Sequence, residues 1–339
     1  MQENLIFRNL DKDGIIGKDL ILNRLRDNRQ ITGYIGFAPT GQIHLGYLIP
    51  CMKIRDFTLA GCNVAILIAD IHAQLDERKT PPELVEYRSI YYQLTLTKIL
   101  NHLGANIEKI KFIKGSQFQL SPTYNMSLLQ MASKVTINAA KKAGTEVVKQ
   151  NKDPNLGSLI YPLMQSIDEM FIGLNTFNTF IDFELGGLDQ RKIFCFSRDN
   201  KSEDNKISYL MNPIISLTKS GKMSASEAQN KISLNDSDND IILKINKAFC
   251  CDGEPDCGLM TLMKCVLLPF YNEIVIECDD KLRTYDNFDN IHDDFIEGKF
   301  VGSQLKSLIS KYLIKLIIPI RKYILEDMKE IINNAYPTN

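Results

Sequence analysis

The sequence predicts an α/β fold: a doubly wound parallel sheet with a helical insertion, followed by a smaller α-helical domain. Three observations predict it. Short apolar runs of strand length recur through the first two-thirds of the chain, as in NVAILIAD (63–70). Helical patterns separate them, so strand, loop, helix, strand, helix, strand alternate in the order that a parallel sheet requires. After residue 230 the strands give way to amphipathic helical stretches. A length of 339 residues suits two domains better than one, and the expected division is 1–230 and 231–339.

Each element has its own signal. Residues 1–30 suggest one or two helices, broken at Gly14 and Gly17. ITGYIGF (31–37) is rich in β-formers. In the segment after it, Leu48, Ile49, Met52, Ile54, Phe57 and Leu59 mostly fit one helical face, and Gly61 is a fitting stop. NVAILIAD is apolar throughout, as a strand buried on both faces must be. Pro81-Pro82 open a helix running to about His102, with Gly104 just past its end. KIKFIKG (109–115) is a further strand. Residues 116–165 become helical and irregular, which marks the insertion. Helices are expected at 160–174 and 189–199, with a strand between them at 180–187. Beyond the polar cluster Asn235 to Asp240, helices are expected at 240–249, 258–270 and about 303–333.

The formal net charge of −1 excludes a general positive field, so a nucleic-acid partner would have to meet local basic patches. No run of about 18 apolar residues exists, and the N-terminus lacks the pattern of a signal peptide. These point to a cytoplasmic protein with no membrane partner. Cys250, Cys251, Cys257 and Cys265 lie close together, but without paired C-x2-C units or a nearby His. Reduced thiols are the expectation, with no metal.

The stretch YIGFAPTGQIHLGY (34–47) joins a buried strand to a helix. Unpaired N–H groups at such a helix start favour anions. Gly36, Gly41 and Gly46 permit close approach and unusual dihedrals, and the ring of His44 sits where a phosphate would lie. Taken alone, the loop is equally a turn with a surface histidine. Tyr161, Gln165 and Asp168 share one helix face. They are either the wall of a polar pocket or the edge of a core face that includes Ile172. His72 is either a structural group at a strand end or part of the same pocket.

Two motifs narrow the choice. Pro39-Thr40-Gly41-x-x-His44-x-Gly46 resembles the HIGH signature of class I aminoacyl-tRNA synthetases, with Tyr47 in the last, variable position. About 180 residues later, Lys222-Met223-Ser224-Ala225-Ser226 resembles the KMSKS loop of the same class. ADIHAQLD (69–76), FIKGSQFQL (112–120), KKAGTEVVKQ (141–150), LIYPLMQSID (159–168), GGLDQRK (186–192), YLMNP (209–213) and KISLND (231–236) all look like the tyrosyl-tRNA synthetases of archaea and eukaryotes. Motif density is high from 31 to 250 and thin after that. The chain looks like a minimal core without the extra C-terminal domain that eukaryotic members often carry.

The resemblance implies a Rossmann-like catalytic domain and an anticodon-binding C-terminal one. It implies ATP with Mg²⁺, L-tyrosine and tRNA(Tyr) as partners, and a homodimer with the insertion at its interface. Tyr34 and Asp168 would hold the substrate phenol. Tyr161, Gln165 and Gln190 would hold its ammonium, with His72, Phe118 and Gln119 lining the rest. Thr40 and His44 would stabilise the phosphates, and Lys222, Ser224 and Ser226 would clamp the departing pyrophosphate. Gly36, Ala38 and Gly46 would approach ATP, Asp189 would hold its ribose, and the Leu210–Met211 backbone would meet its adenine. Lys244, Lys247, Lys306, Lys311, Lys315, Arg321 and Lys322 offer charges for the tRNA. Family members tend to use an aromatic stack and an acidic residue on the first anticodon base; near 280–305 there is no Trp, and Gln304 stands at the acidic position. Two other readings remain: a tryptophanyl-tRNA synthetase, with the same fold, and a catalytically silent RNA-binding relative.

Overall fold

The computed structural model describes residues 1–75, 80–147, 155–219, 231–278 and 281–337. Among them lies a six-stranded sheet. Its strands are β1 (Ile15–Ile16), β2 (Thr32–Phe37), β3 (Asn63–Ile68), β4 (Ile110–Lys114), β5 (Phe183–Gly187) and β6 (Ser208–Asn212). Their spatial order is β1-β6-β5-β2-β3-β4. All neighbours are parallel except β1, which runs antiparallel along β6. The chain winds one way from β2 through β3 to β4, then returns to lay β5 and β6 on the other side. The order therefore reverses between β2 and β5.

Helices cover both faces. Named in chain order, those that matter here are α1 (Leu48–Leu59), α2 (Val85–Leu103), α3 (Pro122–Ala132), α4 (Ile137–Ala143), α5 (Leu156–Phe177), α6 (Arg191–Asp199), α7 (Asp238–Lys247), α8 (Gly302–Glu326) and α9 (Lys329–Ala335). Local chemistry sets their ends. Ser121 Oγ caps α3 and is followed by Pro122. The Asn155 side chain caps α5, and Asn178 closes it in the left-handed conformation, a role usually taken by Gly and sometimes by Asn. Gly104, at φ +82°, ends α2 as its sequence suggests.

Two features depart from the sequence reading. A hairpin of β7 (Ile274–Cys278) and β8 (Lys281–Tyr285) stands within the region expected to be helical. The stretch expected as one helix from 303 to 333 is two, α8 and α9. Both pack on α2: Thr95 donates to the Met328 sulfur at 3.7 Å, and a ring nitrogen of His102 lies 2.9 Å from the Leu316 carbonyl. Of the basic residues in this region, Lys244, Lys306 and Arg321 are drawn inward, to Asp236, the Asn246 carbonyl and Asp238 respectively.

Candidate active site

The carboxyl ends of β2, β3, β5 and β6 open into a cleft of about 420 Å³ where the strand order reverses. Open α/β sheets bind ligands at such a switch point. The phosphate-loop candidates Gly36, Ala38, Thr40, His44 and Gly46 line one side of it.

His44 caps a short 3-10 turn (Leu45–Tyr47) that leads into α1, and its Nδ1 accepts the Gly46 N–H at 3.2 Å. That bond leaves the ring proton on Nε2. Burial, with the nearby charge of Lys231, pushes the imidazole down to about 4, so it is neutral at pH 7. A Cβ on Gly46 would stand 2.9 Å from His44 Cε1, so only glycine lets the ring lie where it does. None of Gly36, Gly41 and Gly46 has a left-handed φ. Their use is close approach, and the expected need for unusual dihedrals is corrected.

Helix α2 braces this loop from behind. Tyr92 donates to the Gly41 carbonyl at 2.7 Å, and its oxygen lies 3.0 Å from the Tyr47 hydroxyl. With the Tyr92 proton committed to Gly41, Tyr47 is the donor in that second bond. Tyr91 accepts the Ile43 N–H. Arg88 reaches the Thr40 carbonyl at 2.6 Å with Nη1 and the Ala335 carbonyl at 3.0 Å with Nε. In front, His44 bridges Ser233 and the Leu45 N–H meets the Ile232 carbonyl. Ile232 and Ser233, in KISLND, thereby lie beside the first signature. Lys222, Ser224 and Ser226 themselves lie outside the described residues.

The other side of the cleft is polar and buried. Tyr161, Gln165 and Asp168 project into it from α5, His72 from the short helix Asp70–Leu75 that follows β3, and Asp189 and Gln190 from the turn after β5. Asp168 is 1% exposed. It accepts from Tyr124 Oη at 2.7 Å and from Gln119 Nε2 at 2.8 and 3.0 Å. Burial nevertheless raises it to about 7. His72 Nε2 stands 3.8 Å from the same carboxylate, but burial lowers that ring to about 4. The contact is therefore not an ion pair at neutral pH. The His72 ring also meets Tyr161 edge-on, with centroids 4.6 Å apart.

Tyr34 and Asp168 make no bond to each other, and the expected place of the adenine at Leu210 and Met211 needs correction. The Tyr34 hydroxyl is buried but has no hydrogen-bond partner, and it does not pair with Asp168. Asp168 takes its protons from Tyr124 and Gln119 instead, because these reach it from the helical segments after β4. Leu210 and Met211 lie inside the sheet. The Met211 N–H and C=O are engaged by Gly14 and Asp11, since the β1 segment pairs along that edge. The cleft begins one residue later, at Asn212 and Pro213.

A model of the class I tRNA synthetases (W and Y) matches residues 26–317. The chain belongs to this family. It is 39% identical over 340 residues to the cytoplasmic tyrosine–tRNA ligase of Xenopus tropicalis, covering 98% of this chain and 62% of that one. The chain thus spans less than two-thirds of the first relatives it matches. It is 37% identical to a probable cytoplasmic tyrosine–tRNA ligase of Encephalitozoon cuniculi, covering 98% and 97% of the two. A tyrosyl-tRNA synthetase of Archaeoglobus fulgidus, solved with L-tyrosine, superposes with a TM-score of 0.84 at 31% identity, covering 95% of this chain and 98% of that one.

Three cleft-side residues of this class I chain escaped the sequence reading. Tyr124 carries no motif; only a buried tyrosine near a helix start marks it. Asn212 lies within YLMNP, and both its side-chain polar atoms are buried without a partner. Glu184 sits in a strand that otherwise looks apolar, where a lone acid was itself the signal. It is 2% exposed, and Oε1 accepts Gln165 Nε2 at 2.8 Å.

Proposed function

We propose that the chain is the core of a tyrosine–tRNA ligase, acting in the cytoplasm on L-tyrosine, MgATP and tRNA(Tyr). One observation carries the reading. Tyr34, His72, Glu184 and Asn212 each hold a buried polar atom with no partner among the described residues, and all line one cleft. Buried polar groups are nearly always satisfied, so this set suits a polar ligand. The names of the relatives supply its class.

The phenol of tyrosine would donate to Asp168 and accept from Tyr34. Its ammonium would meet Tyr161, Gln165 and Gln190. Phenylalanine would leave these buried groups unanswered, which is costly. Sites built to bond a hydroxyl reject the analogue lacking it by about 10⁴–10⁵-fold, a scale established on tyrosyl-tRNA synthetases themselves. The tyrosine carboxylate attacks the α-phosphorus of ATP. A C(O)O–P bond forms, the bond to the β-phosphate bridge breaks, and pyrophosphate leaves with its electron pair. The ribose hydroxyl at the tRNA 3′ end then displaces AMP from the activated carbonyl.

The protein supplies position and charge complementarity. The neutral His44 presents Nε2–H to an α-phosphate oxygen, and Thr40 stands toward the γ-phosphate. Asp189 takes the ribose, and the strand end at Asn212 takes the adenine in place of Leu210 and Met211. Lys222, Ser224 and Ser226 hold the pyrophosphate, and Mg²⁺ enters with ATP as part of that substrate. The C-terminal region would meet the anticodon. Leu120, Met126, Leu129, Ile137 and Leu156 are all more than half exposed on the insertion and the start of α5, an apolar face that suits a second copy of the chain.

ATP–pyrophosphate exchange with each amino acid tests the reading. Exchange with tyrosine alone is expected. Exchange driven by tryptophan, or none with any amino acid, would overturn it.

A further inference from the structure

Glu184 belongs to none of the matched motifs, yet it occupies the centre of the cleft floor. It stands on β5 in register with Tyr34 on β2 and Tyr209 on β6. Tyr209 is engaged elsewhere, donating to Glu169. Glu184 Oε1 takes the Gln165 amide nitrogen at 2.8 Å, and the Gln190 amide oxygen lies 3.3 Å from that same nitrogen. Two acceptors thus claim the Gln165 NH₂, and its carbonyl oxygen is the end left for the cleft. The second Glu184 oxygen is buried with no partner. Among the described residues, no lysine or arginine pairs with Glu184 or with Asp168. Two buried acids without a cation are pushed toward their neutral forms until a ligand brings one.

We propose that Glu184 is a positioning residue of the amino-acid pocket: it fixes the Gln165 amide with its oxygen toward the substrate ammonium and stands behind it as the counter-charge. The inference rests on the tyrosine-activating reading above. It adds a charge to a subsite that otherwise binds an ammonium with neutral oxygens alone. The titratable groups facing Glu184 are Tyr34 from β2, Asp168 from α5 and Tyr209 from β6; none is cationic. Burial, reinforced by the charge of Asp168, raises Glu184 to about 8. It therefore carries a proton at pH 7, and an arriving ammonium expels it.

Glu184→Gln tests this. It keeps the shape, but its own NH₂ can turn Gln165 the wrong way. Tyrosine titrations by calorimetry at pH 7, in two buffers of different ionisation enthalpy, count the protons. Release from the wild type is expected to exceed that from the variant by nearly one proton, since Asp168, raised to about 7, contributes alike to both. In pyrophosphate exchange, the KM for tyrosine should rise at least tenfold while kcat and the KM for ATP change less than threefold. The tyrosine/phenylalanine ratio should survive, because Asp168 and Tyr34 are intact. Equal proton counts and an unchanged tyrosine KM would overturn the role of Glu184. A wild type silent with tyrosine would instead overturn the reading beneath it. If the Gln variant does not fold, wild-type binding still tests the idea: tyrosine affinity should go on rising between pH 7 and 8, above the range in which Asp168 ionises, and a profile flat above pH 7 would refute it.

Discussion

Among the described residues no cation pairs with Asp168, and its hydrogen-bond partners there, Tyr124 and Gln119, are neutral donors. It is therefore held as an acceptor with room for one more donor, which is what a phenol supplies. Asp168→Ala is expected to lower the tyrosine/phenylalanine ratio in pyrophosphate exchange by at least about two orders of magnitude; an unaltered ratio would remove Asp168 from the pocket. Glu184 also bears on stability. Its folded pKa lies above its unfolded value, so its contribution is full below the unfolded pKa and is lost as pH rises toward 8. Lys53 and Lys201, both lowered to about 7 by burial, act in the opposite sense above that pH, so the whole-protein profile mixes the two. The difference isolates the acid: the melting temperature of Glu184→Gln minus that of the wild type should grow as pH rises from about 5 to 8. A constant difference would mean that Glu184 ionises normally.

The signature loop is held less by its own glycines than by α2. Tyr47 shows this: its hydroxyl donates to Tyr92, whose own proton goes to Gly41. Tyr47→Phe should cost about 1 kcal/mol, measured by denaturant unfolding, and should raise the KM for ATP more than that for tyrosine. Equal stability of the two proteins would mean the bond is not made. The elements that frame the cleft were legible in the sequence because their signals are local. NVAILIAD could only be a buried strand, and Pro81-Pro82 and Gly104 marked both ends of α2. β1 was not legible, since two residues carry no period and their pairing with β6 is long-range. The hairpin escaped although β7 alternates buried and exposed residues, because the long helical patterns around it dominated. In the site, residues inside motifs were placed by resemblance. Tyr124 and Glu184 needed the packing of distant elements to become visible.

On the scale of the molecule, the insertion leaves large apolar side chains in the open. Leu129 and Ile137 are 65% and 70% exposed, on neighbouring helices, α3 and α4. Large exposed apolar patches are rare on monomers, and closed two-fold pairing is the commonest way to cover one. Leu129→Glu combined with Ile137→Glu should convert the protein from dimer to monomer in sedimentation velocity without lowering its helical circular dichroism. A wild type that sediments as a monomer would refute the pairing.

One contact spans nearly all of this chain. The Arg88 guanidinium ties the Thr40 carbonyl to that of Ala335, 247 residues downstream. Chains emerge from the ribosome at about 5–20 residues per second. Arg88 must therefore wait on the order of 12 to 50 seconds for its second acceptor to be synthesised. The sheet can form well before that. Until α9 has been made Arg88 lacks its second anchor, so a stalled nascent chain would hold a folded sheet beneath a phosphate loop whose rear brace is incomplete.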